Sequence, residues 1–201
     1  MSEKLIKMMG RYHWVGKRAP NLITFGRLAL VPVFVILLME PSPVKNMYAT
    51  VIFIIASLSD WLDGYLARVF KAESILGKML DPLADKVLVM SALVMLCCIP
   101  SEPRVSGWMV VVLLARDMII TGLRSLAALK GVVVPASRLA KHKTAWTMLA
   151  IIGLLIAQKI SVMGIIIDFL VIGNILLWLA LLLSVISGIL YFIELRNLFN
   201  D

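Results

Sequence analysis

Apolar runs separated by short polar breaks organise the whole chain. The runs cover residues 21–39, 47–69, 82–100, 107–129, 144–160 and 163–193, and most come near the roughly 20 residues a helix needs to cross hydrocarbon. The breaks fall at Pro41, Ser42 and Pro43, at residues 71–81, at 100–103, at 131–143 and at 159–164, where proline, glycine and charged side chains gather. This pattern predicts an all-α integral membrane protein with six transmembrane helices. Six crossings return the chain to the side where it began. Ahead of the first run, Leu5, Met8, Met9, Tyr12 and Val15 alternate with Lys4, Lys7, Arg11, Lys17 and Arg18 at spacings of three and four. That spacing predicts an amphipathic interfacial helix over residues 1–19, lying on an anionic leaflet. Its apolar residues are too dispersed for a signal peptide, so it is expected to be retained. The organisation expected is one membrane domain, 1–201, with a juxtamembrane helix at 1–19 and a six-helix domain over 20–195.

Composition narrows the class. Of the 201 residues, 61% are hydrophobic and 16% charged, against about 45–50% and about 25% in an ordinary soluble domain. A soluble enzyme, a disulfide-rich secreted domain and a disordered tail are excluded. The net charge of +8 would suit nucleic acid, but the basic residues sit in the connections between spans, which is the topology signal of a membrane protein. The expectation is therefore a lipid bilayer and no nucleic acid. Arg68, Lys71 and Lys78, then Lys130, Arg138, Lys141 and Lys143, then Arg196 share the side of the basic N-terminal segment. Lys45, Arg104 and Lys159 stand alone on the other. The basic side is expected to be cytoplasmic. The expected location is thus a cytoplasmic membrane crossed many times. Neighbouring Cys97 and Cys98 read as small hydrophobes.

The candidate chemistry lies between residues 60 and 85. Asp60 and Asp63 are three apart near the inner end of the second run, and Asp81 and Asp85 are four apart at the start of the third. Either spacing puts both carboxylates on one helical face. A short cytoplasmic turn with Gly77 as its flexible point would let the two faces oppose each other. Four gathered carboxylates repel unless cations neutralise them. Hard divalent ions take oxygen ligands and leave positions for phosphate, and two such ions can clamp a phosphoryl group between nucleophile and leaving group. The physical reading is metal-assisted phosphoryl transfer with the active site facing the cytoplasm. Gly64 and Ala67 fall on the Asp60 face and let a ligand approach the backbone, and Arg68 follows with a fork suited to phosphate. Single residues have plainer readings: Asp81 before Pro82 also matches a helix start, an N-cap followed by proline. The four together do not.

The spacing D-x2-D-G-x2-A-R-x8-G-x3-D-x3-D, filled by Asp60, Asp63, Gly64, Ala67, Arg68, Gly77, Asp81 and Asp85, resembles the signature of the CDP-alcohol phosphotransferases. The resemblance implies a six-helix membrane enzyme in which an alcohol attacks a CDP-linked lipid and releases CMP. It implies that Asp60, Asp63 and Asp81 are the principal ligands of two divalent cations, Mg2+ or Mn2+. Asp85 would complete the metal site and act as general base. Asp60, Gly64, Ala67 and Arg68 would line the cytidine nucleotide pocket. Residues 20–24 with Arg27 and Pro32 are similar to the family's first-helix opening, which implies that Asn21 and Thr24 lie near the nucleotide. Ala115, Arg116 and Asp117, Gly122 to Arg124, and Lys141 to Thr144 resemble the branch that makes phosphatidylglycerophosphate. That branch usually has Glu at the position of Asp117 and Gly at the position of Ala140. Neither difference removes a charge. A homodimer is also implied.

The acceptor can be argued from charge as well. Arg116 lies inside the fourth run, where an unpaired cation is costly. With Arg124, Lys141 and Lys143 it would form a cationic pocket suited to a phosphomonoester. The expected reaction is transfer of the phosphatidyl group of CDP-diacylglycerol to glycerol 3-phosphate. The plainer alternative pairs Arg116 with Asp117 and leaves the lysines to topology. Sister enzymes using inositol phosphate, serine or phosphatidylglycerol are the alternative within the chemistry. A divalent-metal transporter is the alternative outside it, but it predicts acids in both halves of the chain.

Overall fold

A computed structural model of the chain describes residues 25–70, 75–99, 104–129, 138–162 and 165–200; side chains are described over these residues except 60–70, 75–83, 85, 138, 140, 141, 160, 162, 165 and 197–200. Among the described residues there are six helices. These are α1 (Phe25–Met39), α2 (Pro43–Phe70), α3 (Ile75–Cys97), α4 (Gly107–Leu129), α5 (Arg138–Ile156) and α6 (Phe169–Asn200). Between α5 and α6 a short antiparallel pair intervenes, β1 (Lys159–Val162) and β2 (Ile165–Asp168). The chain divides into two units, residues 1–92 and 93–201, with α3 running through the division.

In the first unit each helix buries one stripe. Arg27, Phe34 and Leu38 of α1, Asn46, Ala49, Phe53 and Ala56 of α2, and Ala84, Leu88 and Ala92 of α3 are buried, at the three- and four-residue steps of a helical face. The rings of Phe34 and Phe53 lie 6.2 Å apart, tilted by 42°, a geometry favoured by the ring quadrupoles. The outward faces are also apolar: Ile36, Met39, Tyr48 and Leu58 are each at least 60% exposed. A water-facing surface rarely carries so much contiguous apolar area.

In the second unit α6 packs along α5 and against α4. Glycines set the α5 contact. A Cβ on Gly153 would lie 3.1 Å from the Cα of Gly173, and one on Gly173 would lie 2.8 Å from the backbone nitrogen of Leu154. Close backbone approach at small residues is how helices associate where apolar burial gives no preference. Ala180, Ser184 and Gly188 form a ridge of small residues on α6 that packs within the chain: the first two are fully buried, and Gly188 faces Arg116.

Helix ends follow local capping chemistry. Ser42 caps α2, its Oγ accepting from the Lys45 amide at 3.2 Å, with Pro43 in the first helical position. Asp168 caps α6 through the amides of Leu170 and Val171 at 3.1 and 3.3 Å. Burial raises the Asp168 pKa, but the hydrogen bond from Lys159, the two amides and the Lys159 charge outweigh it and hold it below the ordinary 3.8. Its stabilising effect is therefore present above that value and lost as pH falls through the lowered one. At the end of α5, Ala157 takes φ 44°, and Arg104 donates from Nη1 to the carbonyls of Leu154 and Leu155 at 2.9 and 3.1 Å. The guanidinium thus satisfies carbonyls the helix end leaves open.

Several boundaries differ from those the sequence predicts. The run 107–129 is α4 without change. The third helix begins at Ile75, not 82, so Gly77 lies inside α3 and Asp81 is no N-cap. The last helix begins at Phe169, not 163, because Asp168 starts it and the preceding residues pair as strands, Lys159 opposite Asp168. Among the described residues the fold is helical apart from this strand pair. By length and composition α6 alone among the described helices suffices to cross a bilayer, over Phe169–Arg196; α1, α2, α3 and α5 contain shorter apolar helical stretches. In α4 every stretch of 18 residues includes Arg116, Asp117 and Arg124. Its charges, not its length, set it apart. The interfacial helix expected at 1–19 lies outside the described residues.

Candidate active site

The acidic motif is carried by two successive helices of the first unit. Asp60, Asp63, Gly64, Ala67 and Arg68 belong to α2, and Gly77, Asp81 and Asp85 to α3. Within each helix the acids are three or four residues apart, the spacing that places helix positions on a common face. Their side chains lie outside the described set, as do the residues Asn21 and Thr24. Two features of the surroundings suit a polar ligand. The Oγ of Ser57, one turn before Asp60, is buried and has no hydrogen-bond partner among the described residues, and such a group is costly unless something polar reaches it. Pro82 in the interior of α3 brings no N–H, so it offers no helical bond to the carbonyl of Lys78. Carboxylate oxygens of this number and spacing are the donor set that hard divalent cations prefer.

The predicted acceptor residues fall in the second unit, where the structure resolves them into two environments. Arg116 and Lys143 converge on Asp117. Lys143 is buried and donates from Nζ to both carboxylate oxygens at 2.6 Å. Arg116 donates to Asp117 Oδ1 at 3.0 Å, to the Ser184 carbonyl at 3.0 Å and to Ser187 Oγ at 2.7 Å. The Ser187 hydroxyl in turn donates to the Ser184 carbonyl at 3.1 Å. Gly188 leaves room for this guanidinium, since a Cβ there would come within 3.3 Å of its Nε. The pairing of Arg116 with Asp117 is the plainer alternative that the sequence left open, and Lys143 joins it. Two cations thus share the Asp117 carboxylate.

Arg124 stands about 12 Å further along α4 at the helical rise of 1.5 Å per residue. Its guanidinium carbon lies 5.4 Å from the centre of the Tyr191 ring, and its Nε is buried without a hydrogen bond. Lys141 is in α5, with its side chain outside the described set. Sequence reasoning singled out neither Ser187 nor Tyr191 as a site residue, and Tyr191 is only 5% exposed. The available signal was spacing: positions 184, 187, 188 and 191 recur on one face of a helix otherwise built from apolar residues.

Comparison with known proteins agrees with the motif. The family model for CDP-alcohol phosphatidyltransferase matches residues 17–186. A protein of Bacillus subtilis (strain 168) named CDP-diacylglycerol–glycerol-3-phosphate 3-phosphatidyltransferase is 37% identical over 185 residues, covering 86% of this chain and 92% of its own length. One of the same name from Rickettsia bellii is 37% identical over 185 residues, covering 92% and 99%. Another from Pseudomonas fluorescens is 34% identical over 168 residues, covering 79% and 84%. With a family match over most of its length and relatives this similar along nearly all of theirs, the chain belongs to the CDP-alcohol phosphatidyltransferase family.

Proposed function

We propose that the protein transfers the phosphatidyl group of CDP-diacylglycerol to glycerol 3-phosphate, giving phosphatidylglycerophosphate and CMP in glycerophospholipid synthesis. The observation that carries this reading is the complete acidic motif on α2 and α3 in a chain whose relatives bear the name of that reaction. Asp60, Asp63, Asp81 and Asp85 would hold two divalent cations, Mg2+ or Mn2+, which would neutralise charge developing on the transferred phosphoryl group. Asn21, Thr24, Asp60, Gly64, Ala67 and Arg68 receive the cytidine nucleotide. Asp85 accepts the proton of the acceptor hydroxyl as its oxygen bonds to the lipid-bearing phosphorus. The bond from that phosphorus to the bridging oxygen breaks, and CMP leaves with the electron pair.

Arg116, Arg124, Lys141 and Lys143 receive the acceptor phosphate. Basic side chains gathered at Arg116, Lys143 and Arg124 favour a dianionic phosphomonoester over a neutral alcohol. The same reading makes the chain a single domain with six membrane-crossing helices and an interfacial N-terminal helix. It works as a homodimer in the cytoplasmic membrane of a bacterium, with its active site on the cytoplasmic side.

Metal dependence is the test. Excess chelator should abolish CMP release by purified protein, and Asp60→Asn, Asp63→Asn and Asp81→Asn should each lose most activity while still inserting in membranes. Full activity in chelator would contradict the reading.

A further inference from the structure

We propose that Tyr191 of α6 is a positioning residue for acceptor binding, its ring holding the guanidinium of Arg124 so that the remaining donors of that fork are presented to the acceptor phosphate. The inference rests on the reading of Arg124 as an acceptor-binding residue and adds an element that the reading does not contain. Three observations carry it. The Arg124 guanidinium lies over the Tyr191 ring at 5.4 Å, within the distance at which the ring quadrupole attracts a cation. Among the described residues no hydrogen bond or ion pair to Arg124 is formed, so the ring is the support it has there, whereas Arg116 and Lys143 are already committed to Asp117. The Tyr191 hydroxyl is buried and has no hydrogen-bond partner, so the residue contributes through its ring face and its packing.

That packing is firm. Tyr191 and Leu195 of α6 form one apolar cluster with Ile120 and Ala127 of α4, and Leu123 packs against it. One helical turn earlier on the same face, Ser187 and the Ser184 carbonyl hold Arg116. A single face of α6 thereby fixes both arginines of α4. An arginine resting on an aromatic face loses little side-chain freedom when a phosphate arrives, because its plane is already set.

The experiment compares Tyr191→Leu, Tyr191→Phe and Arg124→Ala in full-length protein in detergent–lipid micelles, measuring kcat and both KM values from CMP release. Tyr191→Leu should raise the KM for glycerol 3-phosphate roughly tenfold, the scale of a desolvated cation–ring contact, with the KM for CDP-diacylglycerol changed less than about twofold. Tyr191→Phe keeps the ring and should restore the glycerol 3-phosphate KM to within about threefold of the unmodified protein. A KM does not depend on the fraction of enzyme that is folded, so simple loss of structure would not give this split. If Tyr191→Leu leaves the glycerol 3-phosphate KM unchanged while Arg124→Ala raises it, the positioning role is wrong and the acceptor site stands. If Arg124→Ala leaves it unchanged as well, the acceptor reading itself fails.

Discussion

Asp85 and Asp117 show how one residue type takes on different chemistry in different places. Asp85 follows Asp81 by one helical turn in α3, and the proposed role of base requires it to reach the acceptor hydroxyl. Asp85→Asn should keep CDP-diacylglycerol binding and lose turnover, read as CMP release beside a lipid-binding titration. Near-normal turnover with weakened metal affinity would make Asp85 a ligand only. Asp117 is the counter-charge of two cations at once. Asp117→Ala should destabilise the protein by about 3–5 kcal/mol, because a paired charge that loses its partner inside a protein keeps its desolvation cost. Combining it with Lys143→Met should recover part of that loss in thermal unfolding; strict additivity would show that the two side chains do not couple. The sequence displayed the four motif acids openly, because like charges at helical spacing in an apolar chain have few structural explanations. It did not display the pairing of Lys143 with Asp117, since residues 26 apart in sequence meet only because α4 and α5 both pack on α6.

At the scale of elements, hydrophobic pattern located all six helices but not all their ends. The run at 107–129 is bounded by a break before Gly107 and charge after Leu129, and helix and run coincide. Residues 159–162 and 165–168 are largely apolar, yet they are rich in β-branched side chains and pair as strands. Short apolar runs do not distinguish the two by periodicity, and the deciding signal was Asp168, a capping side chain just before a long apolar helix. Gly77 lies where a break was expected, but α3 already starts two residues before it. The packing of α5 on α6 makes its own prediction. Gly173→Ala would force a Cβ against the backbone of Leu154 at 2.8 Å, so it should lower stability by about 1–3 kcal/mol, the usual range for overpacking. An unchanged melting temperature in detergent would show that the two helices are not held at this separation.

For the whole molecule, the acidic motif of α2 and α3 belongs to the first unit, and the cationic residues of α4 and α5, braced by α6, belong to the second. Outward apolar side chains on every described helix fit a lipid surrounding, and the charged residues of α4 explain why a helix of 23 residues is less apolar than α6. Family membership was legible because eight fixed positions fall within 26 residues. The acceptor was legible only as excess positive charge, since charge alone does not separate one phosphomonoester from another. The direct test of the central claim is therefore CMP release from CDP-diacylglycerol by purified protein, measured with divalent metal and with glycerol 3-phosphate, serine, inositol phosphate, phosphatidylglycerol or glycerol as acceptor. The account predicts release that depends on glycerol 3-phosphate, with phosphatidylglycerophosphate as the lipid product and free glycerol a poor substitute. Faster release with serine, inositol phosphate or phosphatidylglycerol would contradict it.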